Sequence, residues 1–133
     1  IPAGAKGSRH PNGGGWVAET AEVDLTAYIG PSAMILDRAR IKDRACISGQ
    51  AVISGQAQVQ GQAKVGGEAK VEGQAIIADR AFVTGHAKVG DQVVVTGDVQ
   101  VQGWARIEGF TYLEGRAIIA GAGSISTLEQ RRT

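Results

Sequence analysis

An aliphatic residue recurs at every sixth position of this chain from Val17 to Ile125. We name the six positions of each repeat slots one to six. Slot one usually holds Ala, slot three always holds Val, Ile or Leu, and slot five usually holds Gly or Asp. The pattern is clearest between Gly49 and Val89. Slot three is occupied by Val17, Val23, Ile29, Ile35, Ile41, Ile47, Ile53, Val59, Val65, Val71, Ile77, Val83, Val89, Val95, Val101, Ile107, Leu113, Ile119 and Ile125.

This repeat predicts a short strand followed by a tight corner in every six residues. Slots one and three are two residues apart, so on an extended strand they point to the same side and form the interior. Gly and Asp in slot five tolerate the left-handed backbone that a corner requires. Three repeats make one triangular coil. About six coils at roughly 4.8 Å per rung give an all-β, three-sided parallel β-helix about 30 Å long.

The repeat divides the chain into three parts. Residues 1–14 contain Pro2, Pro11 and several glycines without a period, and we predict an irregular N-terminal lid. Residues 15–125 form the β-helix. Residues 126–133 begin with a Ser-x-x-Glu capping box, which predicts a short helical cap at the C-terminal end.

The composition limits the width of the core and the kinds of partner that the protein can bind. Of the 133 residues, 43% are hydrophobic but only 5% are aromatic, so the core must be narrow and filled by small and aliphatic side chains. A net charge of +1 gives no electrostatic basis for binding nucleic acid or an anionic membrane. The apolar runs are too short to span a membrane. Cys46 is the only cysteine, so no internal disulfide is expected.

The repeat, as in Val89-Gly90-Asp91-Gln92-Val93, resembles the hexapeptide-repeat, left-handed parallel β-helix family. In that family an aliphatic residue is followed four residues later by a small one. The resemblance implies left-handed coiling. The rule that parallel crossovers are right-handed favours the alternative, a right-handed three-sided helix such as the bactofilin cytoskeletal type.

The N-terminal segment carries a second resemblance. His10-Pro11-Asn12-Gly13-Gly14-Gly15-Trp16-Val17-Ala18 contains a Gly-Gly-Trp-Val signature that is similar to a bacterial and phage branch of hexapeptide-repeat proteins. Many members of that branch are labelled acyltransferases on the fold alone. Similar segments form C-terminal modules of larger secreted proteins, some acting on polysaccharides. The resemblance favours an extracellular location, with a cytoplasmic one left open, and it implies that the Gly-rich loop leads Trp16 onto the first coil.

Two faces of the prism carry apolar columns in their outward slots. On one face, Trp16, Met34 and neighbouring residues are apolar, and we expect residues 1–14 to fold back over them. On the next face, Ile76, Val94 and Tyr112 lie 18 residues apart and predict an apolar column of the kind that marks an interface. The resemblance to hexapeptide proteins implies a homotrimer assembled through that column.

Three of the six aromatic residues, Trp104, Phe110 and Tyr112, fall within nine residues of one another. Trp104 and Phe110 occupy slot six, at corners. We interpret the three as a stacking platform for a sugar ring or a partner chain. The alternative is that they pack over the corner turns.

His86 is the one histidine within the repeats, also in slot six. Hexapeptide acyltransferases use a histidine as general base, so the resemblance makes His86 the candidate for that role. Against it, the repeats run without the insertion that usually builds the acyl-donor pocket, which favours a solvated corner residue. His10 and His86 cannot form the three-histidine zinc site of γ-type carbonic anhydrases, and we expect no metal and no cofactor.

The sequence therefore favours a non-catalytic binding or scaffold module of a larger secreted bacterial protein. A polysaccharide, bound through Trp104, Phe110 and Tyr112, is the first candidate ligand, and a protein partner is the second. Two alternatives remain, an acyltransferase that uses His86 and a purely structural oligomerisation module.

Overall fold

Twenty short strands make up the protein, with no helix in the part of the chain that the structure describes. The structure is a computed structural model that describes residues 7–116, 118–120 and 124–126, the last three by their backbone alone. Over these ranges no segment forms a helix long and apolar enough to cross a membrane. The all-β class predicted from the repeat is confirmed.

The strands, numbered in chain order, form three sheets that are the faces of a prism. The first face contains β1 (Gly7–Arg9), β2 (Trp16–Ala18), β5 (Met34–Ile35), β8 (Val52–Ile53), β11 (Lys70–Val71), β14 (Lys88–Val89), β17 (Arg106–Glu108) and β20 (Ser124–Ser126). The second face contains β3 (Glu22–Val23), β6 (Arg40–Ile41), β9 (Gln58–Val59), β12 (Ile76–Ile77), β15 (Val94–Val95) and β18 (Tyr112–Leu113). The third face contains β4 (Tyr28–Ile29), β7 (Cys46–Ile47), β10 (Lys64–Val65), β13 (Phe82–Val83), β16 (Gln100–Val101) and β19 (Ile118–Ile119).

Consecutive strands from β2 onward lie on successive faces, so three hexads complete one coil and the chain makes about six coils. Each strand from β2 onward pairs in parallel with the strand 18 residues away. In the pair β11 and β14, for example, Lys70 lies opposite Lys88. From Met34 to Asp98, three hydrogen bonds join each hexad to the next coil. In one hexad, the amides of Arg40, Lys42 and Arg44 donate to the carbonyls of Ala57, Val59 and Gly61 at 2.9–3.0 Å. The result is the predicted three-sided parallel β-solenoid.

Each hexad ends at a corner, and the slot-six residues of successive coils form a column along it. The first corner joins the first face to the second, and its slot-six residues are Thr20, Arg38, Gln56, Gln74, Gln92 and Phe110. The second corner joins the second face to the third and carries Thr26, Arg44, Gln62, Arg80, Asp98 and Arg116. The third corner joins the third face to the first and carries Ser32, Gln50, Glu68, His86 and Trp104.

The core consists of the slot-one and slot-three side chains, as predicted. Ala51, Ile53, Ala57 and Val59, for example, are fully buried. Apart from Trp16, which lies at the N-terminal end and is 9% exposed, no described aromatic side chain is buried. Burying small and branched aliphatic groups removes apolar surface from water without widening the prism, which explains the low aromatic content.

The corners adopt the left-handed backbone that Gly and Asp in slot five predicted. Asp37, Asp43, Asp79 and Asp91 have φ between 54° and 61°. Gly55 is representative of the glycines, with φ of 67°. From Asp37 to Gly115, the left-handed corner therefore follows from the slot-five residue of each hexad.

Part of the predicted N-terminal lid is a strand. Gly7–Arg9 pairs antiparallel with Trp16–Ala18 and extends the edge of the first face, while residues 1–6 lie outside the described residues. Trp16 begins the first coil, in agreement with the second resemblance. The predicted C-terminal cap at 126–133 lies outside the described residues except for Ser126, which ends strand β20.

Candidate binding site

A carboxylate, an imidazole and an indole lie in single file on the third corner. Glu68, His86 and Trp104 occupy slot six in three successive coils. His86 Nδ1 donates a hydrogen bond to Glu68 Oε1 at 2.9 Å. The His86 ring stacks on Trp104 with centroids 4.0 Å apart and ring planes 5° from parallel. These contacts link the histidine and the tryptophan that the sequence had assigned to separate hypotheses.

The cluster is open to solvent. The Trp104 side chain is 62% exposed, although one face of the indole lies against His86. The side chains of His86 and Glu68 are 42% and 52% exposed. The contacts therefore fix the orientation of the rings and leave most of the indole accessible.

A column of three basic residues borders the third corner on the first face, with acidic residues beside it. Lys70, Lys88 and Arg106 are in register on adjacent strands. Lys88 Nζ lies 3.2 Å from Glu72 Oε1, and both side chains are more than 40% exposed. With Glu68 and Glu72 nearby, the border has no strong excess of either charge, so it does not select for a highly charged ligand.

The three aromatic residues predicted to form one platform lie at two different corners. Trp104 lies at the third corner, whereas Phe110 lies at the first corner, one complete first-face hexad further along the chain. Tyr112 lies on the second face next to the first corner. Phe110 is 66% and Tyr112 is 40% exposed. Any aromatic binding surface therefore pairs Trp104 with His86, and Phe110 with Tyr112 or with other residues of its own corner.

The predicted column on the second face is present. Ile76 is in register with Val94, and Val94 with Tyr112, on three adjacent strands. Ile76 and Val94 are half-buried and Tyr112 is exposed. The column presents an apolar strip on the lower half of the second face.

Glu68 was not selected in the sequence analysis, although a signal for it was present. Adding 18 to 68 gives 86, and adding 18 again gives 104, so the coil period places Glu68, His86 and Trp104 in one column. The period aligns slot six along a corner in the same way as it aligns the outward slots along a face, so the sequence contains the signal for the cluster.

The arrangement can bind a ring and, in principle, move a proton. Since Nδ1 of His86 donates to Glu68, Nε2 is the nitrogen left to accept a proton or a hydrogen bond. Among the described residues, His, Cys, Asp and Glu form no group of three or more that could hold a metal ion. Cys46 on the third face is an unpaired, half-buried thiol.

Comparison of the chain with protein families, with curated proteins and with solved structures finds no match.

Proposed function

We propose that the protein is a non-catalytic binding module whose ligand is a carbohydrate, with Trp104 as the residue on which a sugar ring stacks. The observation that carries the proposal is the exposed indole of Trp104, held parallel to His86 at 4.0 Å. An indole has a large apolar face with negative charge density, which attracts the C–H groups on the face of a sugar ring.

The hydrogen bond between Glu68 and His86 supports this proposal by fixing the ring behind Trp104. A long or mobile side chain loses conformational entropy when a ligand immobilises it. Here the imidazole is held at Nδ1 by Glu68, and the indole rests on the imidazole. The site is therefore organised before a ligand arrives, and less of the binding free energy is lost in ordering it.

We further infer that the chain is a hexapeptide-repeat, left-handed β-helix of the bacterial and phage branch with the Gly-Gly-Trp-Val signature. The unbroken slot pattern and the 18-residue coil support the repeat family. The position of Trp16 at the start of the first coil supports the branch. On this view the protein is an accessory module of a larger secreted protein. The module brings that larger protein to a polysaccharide.

The proposal is tested by binding to insoluble polysaccharides and to immobilised glycans. We expect Trp104→Ala to weaken binding about two- to tenfold, because a stacking contact of roughly 0.5–1.5 kcal/mol is lost. Phe82→Ala is the matched control, since Phe82 is an exposed aromatic residue on the third face away from the corner cluster. Equal binding by wild type and Trp104→Ala to every glycan that the wild type binds would contradict the proposal.

The second candidate function is acyl transfer with His86 as general base. One observation favours it: Glu68 holds His86 by Nδ1, which is how a carboxylate orients a catalytic imidazole. The open position of His86 on a convex corner counts against it, because an acyl donor needs a pocket that positions it beside the base.

Acyl transfer predicts product formation that depends on an acyl donor and disappears in His86→Ala. Glu68→Gln should reduce the rate with little change in donor KM, because it alters the orientation of the base and not the binding of the donor. Absence of turnover with common acyl donors, together with glycan binding that depends on Trp104, would leave the binding module as the function.

A further inference from the structure

The first corner carries a row of amide side chains that ends at an exposed phenylalanine. Gln56, Gln74 and Gln92 occupy slot six in successive coils, with Arg38 one coil above and Phe110 one coil below. From Arg38 to Phe110 the row covers four rungs, which is about 19 Å along the prism. All five side chains are exposed.

The three glutamines form a hydrogen-bonded ladder. Gln74 Nε2 donates to Gln56 Oε1 at 3.4 Å, and Gln92 Nε2 donates to Gln74 Oε1 at 3.2 Å. Each amide has two N–H groups and an oxygen that can accept two bonds. The ladder uses one donor and one acceptor site of Gln74, so the second N–H and the second lone pair have no partner among the described residues.

Shallow depressions lie on both sides of this row. A depression of about 540 Å³ on the second-face side is lined by Arg38, Arg40, Gln56, Gln58, Gln74 and Ile76. Another of about 360 Å³, further down the corner, is lined by Gly73, Gln74, Asp91, Gln92, Gly109 and Phe110. Gln74 lines both depressions. An extended ligand can therefore follow the first depression, cross the row at Gln74 and reach the ring of Phe110 in the second.

We propose that this row, Gln56–Gln74–Gln92 with Phe110 at its end, is a second binding site, and that it takes an extended neutral glycan chain. Sugar hydroxyl groups both donate and accept, which matches the mixed donors and acceptors of an amide ladder. The ring of Phe110 supplies a stacking surface for the terminal sugar. The inference rests on the proposed function for the class of ligand, but its site shares no residue with the cluster at the third corner.

An extended peptide does not fit the same row. Side chains on one face of a β-strand repeat every 6.6–6.8 Å, whereas the amides of the row repeat at about 4.8 Å, so the two fall out of register within three rungs. The three amides are uncharged. Arg40, on the second face, is paired with Glu22 at 3.5 Å, and Arg38 is a single positive charge at the end of the row. The row therefore offers no column of charge for an anionic polymer.

The experiment is a titration of the ¹⁵N-labelled protein with linear β-glucan, mannan and chitin fragments, from disaccharide to hexasaccharide. We expect the side-chain amide signals of Gln56, Gln74 and Gln92 to shift together during titration with at least one of the three kinds of glycan fragment. The affinity should increase with chain length until the ligand spans the row. Gln62 is the internal control, because it occupies the same slot six at the second corner.

Four variants separate the two sites. Gln74→Ala and Phe110→Ala should weaken oligosaccharide binding at the row roughly three- to tenfold, whereas Gln62→Ala should leave it unchanged. Trp104→Ala should also leave the shifts of the row unchanged. Unchanged circular dichroism spectra would show that the substitutions leave the fold intact.

The outcomes distinguish this site from the one at the third corner. Shifts at the glutamine row that survive Trp104→Ala support the second site even if Trp104 binds nothing. Shifts confined to the indole signal of Trp104 overturn the second site and leave the proposed function standing. Shifts at neither place, with any of the three series, overturn both.

Discussion

Aspartate in slot five does more than tolerate a left-handed backbone. Each of the four slot-five aspartates accepts a hydrogen bond at its side chain from the backbone N–H of the slot-five glycine one coil further on. These bonds join Asp37 to Gly55 at 2.9 Å, Asp43 to Gly61 at 3.1 Å, Asp79 to Gly97 at 3.2 Å and Asp91 to Gly109 at 2.9 Å. The carboxylate therefore binds an amide that would otherwise face solvent at the corner.

This role predicts that Gly55→Ala destabilises the protein more than Gly55→Asn does. A Cβ at Gly55 would lie 2.8 Å from the carbonyl oxygen of Gly73 and would have to adopt φ near 67°. We expect Gly55→Ala to lower the free energy of unfolding by roughly 1–3 kcal/mol. Asn tolerates this backbone, and its side-chain oxygen can accept from the amide of Gly73, so it should recover part of the loss.

Chemical denaturation of both variants measures the difference. Gly66→Ala is the control, because Gly66 does not have a positive φ and its added Cβ would meet only the flexible Ser48 hydroxyl, at 3.0 Å. Its effect should stay below about 1 kcal/mol. Equal stabilities for Gly55→Ala and Gly55→Asn would show that the side-chain hydrogen bond contributes nothing.

Asp79 gives the corners a measurable pH dependence. The hydroxyl of Thr96, followed by the N–H of Gly97, lowers the pKa of the Asp79 carboxyl below its ordinary value of 3.8. The lowered pKa stabilises the folded protein above pH 3.8, and that contribution is lost as the pH falls through the pKa of the folded state. Between pH 5 and pH 2 we therefore expect the Tm of the wild type to fall further than that of Asp79→Asn.

Thr96→Val tests the assigned cause of this shift. It removes the hydroxyl that has the largest effect on Asp79 and keeps the bond from Gly97. Over the same pH range, the Tm of Thr96→Val should fall by less than that of the wild type and by more than that of Asp79→Asn. A Tm that falls equally in wild type, Asp79→Asn and Thr96→Val would contradict the linkage.

At the scale of the elements, the first coil is completed by side chains that replace a missing rung. The carbonyl of Ala27 would normally accept from the backbone of a preceding coil. Here it accepts from His10 Nε2 at 2.9 Å and from Asn12 Nδ2 at 3.1 Å, and His10 is buried. The amide of Ile29 donates in turn to the carbonyl of Asn12 at 3.0 Å. His10 thus closes the N-terminal end of the third face.

We expect His10→Ala to loosen the first coil and leave the middle of the solenoid intact. The Ala27 carbonyl loses one of its two donors but keeps Asn12, which costs about 0.5–1.5 kcal/mol, and repeats far from the end depend only on their own neighbours. Hydrogen exchange should become faster at the amides of Gly15 and Gly30 but not at those of Gln58 and Gln60. His86→Ala, at the exposed corner, should leave the exchange rates of these four amides unchanged. Uniformly faster exchange over all coils would contradict a local cap.

The sequence predicted the strands of the repeat but not the strand that covers their N-terminal edge. The hexads from Val17 onward specify an inward face and a corner in each unit, and the structure contains both. Gly7–Arg9 has no period and no β-branched residue, so nothing local marks it as a strand. It becomes one by pairing across the Gly-rich loop with Trp16–Ala18, a contact that the propensities of its three residues do not predict.

For the whole molecule, residues six apart in sequence lie on different sides of the prism, and residues 18 apart are neighbours. The closeness of Trp104 and Phe110 along the chain therefore did not predict a common platform. The register of Ile76, Val94 and Tyr112 was predicted correctly, because it was derived from the 18-residue period. The contact between His86 and Trp104 depends on rotamers as well as on the column, so the period alone predicts that they are adjacent but not that their rings stack.

The apolar strip on the second face predicts self-association at high concentration. We expect light scattering to report a trimer and Val94→Lys to shift the protein to the monomer, because the lysine places a charge in the centre of the strip. Gln58→Lys is the control, since Gln58 is in register with Ile76 but lies above the apolar residues. A wild type that remains monomeric at high concentration would rule out assembly through this strip.

The equivalence of the three corners has a consequence for how such a chain acquires or loses a site. Between Asp37 and Gly115, moving a residue by six places rotates it to the next corner at nearly the same height, because slot five of every hexad in this range has the same left-handed backbone. Gln74→Glu, Gln92→His and Phe110→Trp would therefore rebuild the Glu68–His86–Trp104 cluster on the first corner and erase the amide row there. On this scaffold, three substitutions would exchange one proposed site for the other without altering a single strand.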